Sequence, residues 1–119
     1  MPPLLDHLTE FDITTGLEYA DNDEELYIEV LAMFYDQLIN EFQTLPERLS
    51  QPGEVVTRQV HTLKGSAGSV GASRIEAAAS DIDMALKRGD SVSAEQARAL
   101  DDAIQASMAQ LRSVAQSAL

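Results

Sequence analysis

The 119-residue sequence contains no cysteine and no tryptophan, and only 5% of its residues are aromatic. Without cysteine the chain can form no disulfide, no thiolate nucleophile and no cysteine-ligated metal site. A protein of this length fits one domain with a single hydrophobic core. Because 45% of the residues are hydrophobic and 24% are charged, the composition indicates a folded domain and not a disordered segment.

Positive charge is also scarce. Eight Lys and Arg residues stand against 20 Asp and Glu residues, which gives a formal net charge of −12. Nucleic acids and anionic membranes attract proteins through clustered basic residues, so we expect neither as a partner. No apolar run approaches the ~20 residues that span a bilayer, and the N-terminus, with Asp6 and Glu10, lacks the basic start of a secretory signal. We therefore expect a cytoplasmic location.

Helical periodicity dominates the sequence, and no segment shows the sustained alternation of a strand. We predict a single all-α domain over 1–119. Its main part is an antiparallel up-down four-helix bundle over about 23–118, and one or two short helices within about 1–20 cover one end of the bundle. The four long helices are predicted over about 23–50, with room for a kink at Pro46, over about 54–70, from the Ser73–Glu76 segment to Lys87–Gly89, and from the Ser93–Gln96 segment to about Ala118.

Polar residues and glycines mark the predicted helix ends. Asp12 and Asp23 are suited to N-cap positions, because their carboxylates can accept hydrogen bonds from the first turn. Gly71 and Gly89 are suited to the C-terminal ends of two helices. Two further segments have the form of a capping box, namely Ser73–Glu76 and Ser93–Gln96.

One histidine has unusual neighbours, in the run HTLKGSAGSVGA that begins at His61. Lys64, Gly65 and Gly68 follow at spacings that share its helix face. The apolar residues of this helix cluster on another side, so the imidazole is predicted to face water. An interior glycine costs a helix about 1 kcal/mol of stability relative to alanine. The simplest reason for two such glycines is that they let the surface of another protein come close to the imidazole. The face therefore predicts a site that hands an anionic group to a docked partner.

Two enzyme-like interpretations have less support. A metal site in a helical bundle needs Glu-x-x-His on facing helices, but Arg58 and Leu4 stand three residues before His61 and His7. A hydrolytic pair of Ser66 with His61 has no acid obviously placed to orient the imidazole. We expect His7, which lacks comparable neighbours, to be an ordinary surface residue.

The sequence resembles a histidine-containing phosphotransfer (HPt) domain of two-component phosphorelays. The family pattern is a histidine, then a Leu-Lys-Gly-Ser run, then a small-residue segment that ends in Gly-Ala, and 61–72 supplies all of it. The acidic opening of the first long helix, 21–34, and the segment 82–90 also resemble the family. The chain departs from common family residues at Val60, Gly68, Ser69 and Asp83, the last in place of the usual Glu.

The resemblance implies a phosphocarrier, in which His61 accepts a phosphoryl group from the aspartate of one receiver domain and passes it to another. It further implies that Lys64 lies near the phosphoryl oxygens, and that Mg²⁺ and most of the catalysis belong to the receiver. We therefore expect no metal or cofactor on this chain and no independent turnover, and we find no kinase ATP-binding motif. Contacts with the receiver are expected at Thr57, Arg58, Gly65 and Gly68.

The implied partners are response-regulator receiver domains and a hybrid sensor histidine kinase, and we expect the free carrier to be a monomer. One alternative stays open, a non-catalytic helical adaptor that docks a receiver or another partner without phosphotransfer. An adaptor would explain the helices but would not explain Gly65 and Gly68.

Overall fold

The computed structural model describes residues 3–117, and within this range the chain is all-helical with no strand. Its α-helices are α1 (Ile13–Tyr19), α2 (Glu24–Gln37), α3 (Glu54–Val70), α4 (Ser73–Lys87) and α5 (Ala94–Ser117). The predicted all-α class is confirmed, whereas the predicted ends of the domain and of the last helix lie outside the described residues. None of the helices within 3–117 has the length and apolar character to cross a membrane.

The core is formed by α2, α3, α4 and α5, each of which packs against two others. α2 contacts α3 and α5, and α4 contacts the same two helices. Each helix turns one apolar stripe inward, at the three- and four-residue spacing of an amphipathic helix. The large core residues that are fully or almost fully buried include Tyr27, Leu31, Phe34, Leu63, Ile75, Ile82 and Leu100.

The N-terminal segment packs against α2, α3 and α5. It contains a 3-10 turn (Pro3–Leu5) and α1, whose N-cap Asp12 accepts a hydrogen bond from the Thr15 N–H at 3.1 Å. The Asp12 N–H donates to the Gly71 carbonyl oxygen at 2.7 Å, which ties the start of α1 to the end of α3. The buried apolar residues of this segment are Leu5, Leu8 and Phe11.

The prediction of one helix from about residue 23 to Ser50 is wrong. α2 ends at Gln37, and the chain continues as a π-helical turn (Leu38–Phe42) and a 3-10 turn (Leu45–Arg48). Pro46 has no N–H to donate and its ring obstructs the preceding turn, so a regular α-helix cannot continue through it. The apolar periodicity nevertheless holds, because the side chains that it placed in the core remain buried, namely Leu38, Phe42, Leu45 and Leu49.

α3 has the predicted limits, because its ends are set by local residues. Gly71 follows Val70 in the left-handed region, with φ 76°, and the next N–H, of Ala72, donates to the Ala67 carbonyl oxygen at 2.8 Å. This geometry satisfies carbonyl groups that the helix end would otherwise leave free. The helix that carries His61 is therefore closed by a specific C-cap.

Of the two predicted capping boxes, the first is wrong and the second is confirmed. α4 begins at Ser73 without a side-chain cap, because the Ser73 hydroxyl donates to the Gly71 carbonyl oxygen at 3.2 Å instead. At the start of α5, the Ser93 hydroxyl oxygen accepts from the Gln96 N–H at 3.1 Å, and the Gln96 side-chain oxygen accepts from the Ser93 N–H at 2.9 Å.

Gly71→Ala should destabilise the protein more than Gly89→Ala. Both glycines have a left-handed backbone, with φ 76° and 77°, which costs a residue with a Cβ about 1 kcal/mol. At Gly71 the new Cβ would also overlap the Asp12 carbonyl oxygen, whereas the space beside Gly89 is open. We expect the free energy of unfolding in urea to fall by about 3 kcal/mol for Gly71→Ala and about 1 kcal/mol for Gly89→Ala. Equal losses would contradict the close approach at Gly71.

Candidate functional site

His61 lies on the solvent-exposed face of α3, and 63% of its side chain is exposed. Five apolar residues of the same helix form a stripe on the other side and are buried in the bundle, namely Val56, Val60, Leu63, Ala67 and Val70, whereas Val55 in the first turn is exposed. The prediction that the imidazole faces water is confirmed. One side of the helix is buried in the bundle while the ring itself stays accessible.

A buried carboxylate from α4 lies beside the imidazole. Asp83 is only 1% exposed, and its Oδ2 is 3.6 Å from His61 Nδ1. The sequence analysis found no acid obviously placed beside the imidazole, and it therefore missed Asp83. The error arose because Asp83 is distant in sequence and is brought to His61 only by the packing of α4 on α3. Its spacing from Ile75 and Ala79 places it on the buried face of α4, and this was the available signal.

Two lysines bind the same carboxylate oxygen. Lys87 Nζ lies 3.0 Å and Lys64 Nζ 3.3 Å from Asp83 Oδ2, so the buried charge has the partners that burial demands. Burial by itself would raise the pKa of Asp83, but the hydrogen bonds from Lys87 and Lys64 outweigh it and lower the pKa below its ordinary value of 3.8. Asp83 is therefore an anion at neutral pH, held between two cations and next to the imidazole.

An open cavity of about 570 Å³ lies beside His61, between the start of α3 and the end of α4. Two of the predicted partner-contact residues, Thr57 and Arg58, line it together with His61. Asp83 and Lys87, which the sequence analysis missed, line it as well. The cavity thus joins the exposed imidazole to part of the charged cluster.

The two helix glycines near His61 have different surroundings. A Cβ at Gly65 would meet nothing within 4 Å, so this part of the face is open. A Cβ at Gly68 would instead meet the carboxylate of Glu76, which comes from α4, at 2.5 Å. This contact is with the end of an exposed, flexible side chain, which can move away from a new Cβ, and contact of Gly68 with a partner stays a prediction.

The other histidine lies far from this cluster in sequence and makes different contacts. His7 is exposed, as predicted, and its Nε2 lies 3.1 Å from the Gln110 carbonyl oxygen and 3.3 Å from the Ser113 hydroxyl. Within residues 3–117, no group of three or more His, Asp or Glu side chains is arranged to hold a metal ion.

Comparison with known families agrees with this geometry. The family model described as the Hpt domain matches residues 29–114, a span that includes His61, both lysines and Asp83. This chain belongs to the Hpt domain family. Hpt domains are phosphotransfer carriers that interact with receiver domains in phosphorelays. No curated protein and no solved structure gives a significant match to this Hpt domain.

Asp83→Asn should destabilise the Hpt domain by about 1–2 kcal/mol at pH 7, because two charge-assisted hydrogen bonds are weakened. The pKa of Asp83 is lower in the folded chain than in the unfolded chain. Its stabilisation is therefore present above about pH 4 and is lost as the pH falls through the folded pKa. Urea unfolding at pH 7 and at pH 3 measures this difference.

The matched control for this prediction is Asp102→Asn, which removes an exposed carboxylate from α5. We expect its effect to be within about 0.5 kcal/mol at both pH values. A loss for Asp83→Asn that is the same at pH 7 and pH 3 would show that the carboxylate charge does not stabilise the fold.

Proposed function

We propose that this Hpt domain accepts a phosphoryl group on His61 from the aspartate of one receiver domain and passes it to the aspartate of another. The observation that carries the proposal is the exposed imidazole of His61, whose Nδ1 lies 3.6 Å from the buried Asp83 carboxylate. The family supplies the class of reaction, and this contact supplies the candidate acceptor atom.

Asp83 supports a specific choice of nitrogen. A carboxylate beside Nδ1 favours the tautomer that carries its proton there, which leaves the lone pair on Nε2. In the proposed step Nε2 attacks the phosphorus of the receiver's aspartyl phosphate. The N–P bond forms as the bond from phosphorus to the aspartyl oxygen breaks, and that bond's electron pair leaves with the carboxylate. The phosphorylated ring keeps its Nδ1 proton, and its positive charge faces Asp83. The reverse steps deliver the group to a second receiver.

Lys64 and Lys87 are the proposed cations for the phosphoryl oxygens. The Nζ atoms of both lie within 3.3 Å of Asp83 Oδ2, next to His61. Phosphoryl transfer depends mainly on alignment and on stabilising the charge of the transferred group. This proposal keeps the role predicted for Lys64 and adds Lys87, which occupies the same cluster from α4.

The remaining steps are assigned to the partner. We propose that the receiver supplies Mg²⁺ and most of the catalysis, and that it contacts Thr57, Arg58, Gly65 and Gly68. A hybrid sensor histidine kinase is the proposed upstream partner, and the free carrier is proposed to be a cytoplasmic monomer without turnover of its own. Each of these assignments extends the family's known role to this chain.

We also propose the antiparallel up-down order for the bundle. The Tyr27 hydroxyl, near the start of α2, donates to the Val70 carbonyl oxygen at the end of α3 at 2.7 Å. A contact between the beginning of one helix and the end of the next supports opposite directions for the pair.

His61→Gln should abolish phosphoryl transfer. A receiver domain that carries a labelled phosphoryl group is mixed with the protein, and the label that appears on this chain is followed. This label should be acid-labile and alkali-stable, as a phosphohistidine is. We expect label on the wild type and on His7→Gln, and none on His61→Gln, because Gln has no nucleophilic ring nitrogen. Label on His61→Gln would overturn the assigned site. Binding of a receiver without transfer to the wild type would favour the adaptor.

Gly65→Leu should reduce transfer by about tenfold or more while the fold survives, because the new side chain extends into open space above the face that the receiver covers. The matched control is Ala99→Leu, which adds the same kind of side chain to an exposed position of α5. Circular dichroism and the initial transfer rate are measured for both. An unchanged rate for Gly65→Leu would contradict close approach at this position.

A further inference from the structure

A second cavity, of about 510 Å³, lies between α3 and the irregular segment that follows α2. We call it the arginine cavity, because Arg48 from the 3-10 turn and Arg58 from α3 both line it. The π-helical turn forms another wall and contributes Glu41. The departure from a regular helix after Gln37 therefore contributes directly to the shape of this cavity.

The guanidinium of Arg48 is only partly satisfied. Its Nη1 donates to the Gln59 side-chain oxygen at 2.9 Å, while its Nε is shielded from solvent and has no hydrogen-bond partner. Within residues 3–117, neither Arg48 nor Arg58 forms an ion pair with a carboxylate. The shielded Nε is out of reach of a docking group, so the groups that Arg48 and Arg58 can offer to a carboxylate are their Nη atoms, which bind no carboxylate of the described residues.

The charges around the cavity favour one carboxylate. A guanidinium binds a carboxylate through two parallel hydrogen bonds. Arg48 and Arg58 carry two positive charges, and Glu41 removes one, so the wall has a net charge of about +1 in a chain with a net charge of −12. A singly charged carboxylate matches this wall, whereas a phosphate dianion would exceed it.

The position of the cavity identifies where that carboxylate comes from. Arg58 lines both the arginine cavity and the cavity beside His61. The two cavities therefore adjoin at Arg58, so a protein that covers the imidazole and extends across this side chain would reach the arginine cavity, exclude water from it and strengthen its ion pairs.

We propose that the arginine cavity takes a carboxylate side chain of the receiver domain that docks over His61. Arg48 and Arg58 hold this side chain and so select receivers that carry an acidic residue at the matching position. The proposal rests on the proposed function, because its occupant is the docking receiver.

The test uses the full chain and a receiver domain, chosen from a panel, that transfers phosphate to the wild type. The initial transfer rate is measured against receiver concentration. We expect Arg48→Gln to raise the half-saturating concentration about tenfold and Arg58→Gln about threefold. In both variants the half-saturating concentration should change more than the maximal rate does. Glu41→Gln should lower the half-saturating concentration, because the wall of the cavity becomes more positive.

Arg98→Gln is the control, since it removes the same charge from an exposed position on α5. We expect its half-saturating concentration to stay within about twofold of the wild type, and the differences at Arg48 and Arg58 to shrink as the salt concentration rises. If Arg48→Gln fails to fold, the exposed Arg58 and Glu41 positions still provide changes of opposite sign.

A second arm identifies the carboxylate. Each surface Asp or Glu of the receiver is changed to Asn or Gln, and one of these changes should remove most of the effect of Arg48→Gln. The proposal would be overturned if Arg48→Gln and Arg58→Gln had the same half-saturating receiver concentration as Arg98→Gln. It would also be overturned if no receiver carboxylate were coupled to Arg48. A third outcome would also overturn it. In that outcome, inorganic phosphate shifts the Arg48 Nε–H resonance in an NMR titration, but neither arginine variant changes receiver binding.

Failure of the two proposals is distinguishable. Transfer to the wild type with no effect of either arginine variant overturns only the carboxylate site. Absence of transfer from every receiver overturns the proposed function and, with it, the receiver as the occupant of the arginine cavity.

Discussion

The arrangement of the candidate site depends on one buried carboxylate. Asp83 brings Lys64 from α3 and Lys87 from its own helix to a single oxygen, and the same oxygen lies next to the His61 ring. A carboxylate in the core must keep its partners, because an unpaired buried charge is strongly destabilising. A shift of α4 by one turn, about 5.4 Å, would separate Asp83 from both Lys64 and His61, which lie on α3. The charge therefore couples the position of α4 on α3 to the surroundings of the imidazole.

α3 presents different chemistry on its two sides. On the α4 side lie the carboxylate, the lysines and the cavity that opens to His61. On the side of the irregular segment after α2 lies the arginine cavity, and Arg58 borders both. In a strongly acidic protein, four of the eight Lys and Arg residues thus lie along these two sides of α3, among acidic residues that include Asp83, Glu54 and Glu41. The packing of α3 between its neighbours thus places both sets of cations close to one accessible ring.

Local residues were sufficient to predict much of the fold. The limits of α3 followed from its apolar stripe and from Gly71, and the cap at Ser93 followed from a short-range hydrogen-bond pattern. The failures have local causes of a different kind. The regular α-helix ended at Gln37, well before the proline, and Pro46 then kept it from resuming toward Ser50. The Ser73 hydroxyl bonded to the Gly71 carbonyl instead of capping α4. In the first place the apolar spacing favoured a longer helix while the proline opposed it. In the second the capping-box pattern competed with a hydrogen bond to the Gly71 carbonyl. Residue spacing alone does not show which of two such effects is stronger.

The sequence by itself determined the helical class, the helix that carries His61, and the exposure of the imidazole with Lys64 and Gly65 beside it. These features depend on spacings within one helix, which the period of the α-helix converts directly into faces. Only the tertiary structure decided that Asp83 and Lys87 join His61, that Gly68 faces Glu76, and that Arg48 and Arg58 share a cavity. Those contacts join residues on different elements, and their distances depend on how the elements pack, which no spacing within a single helix specifies.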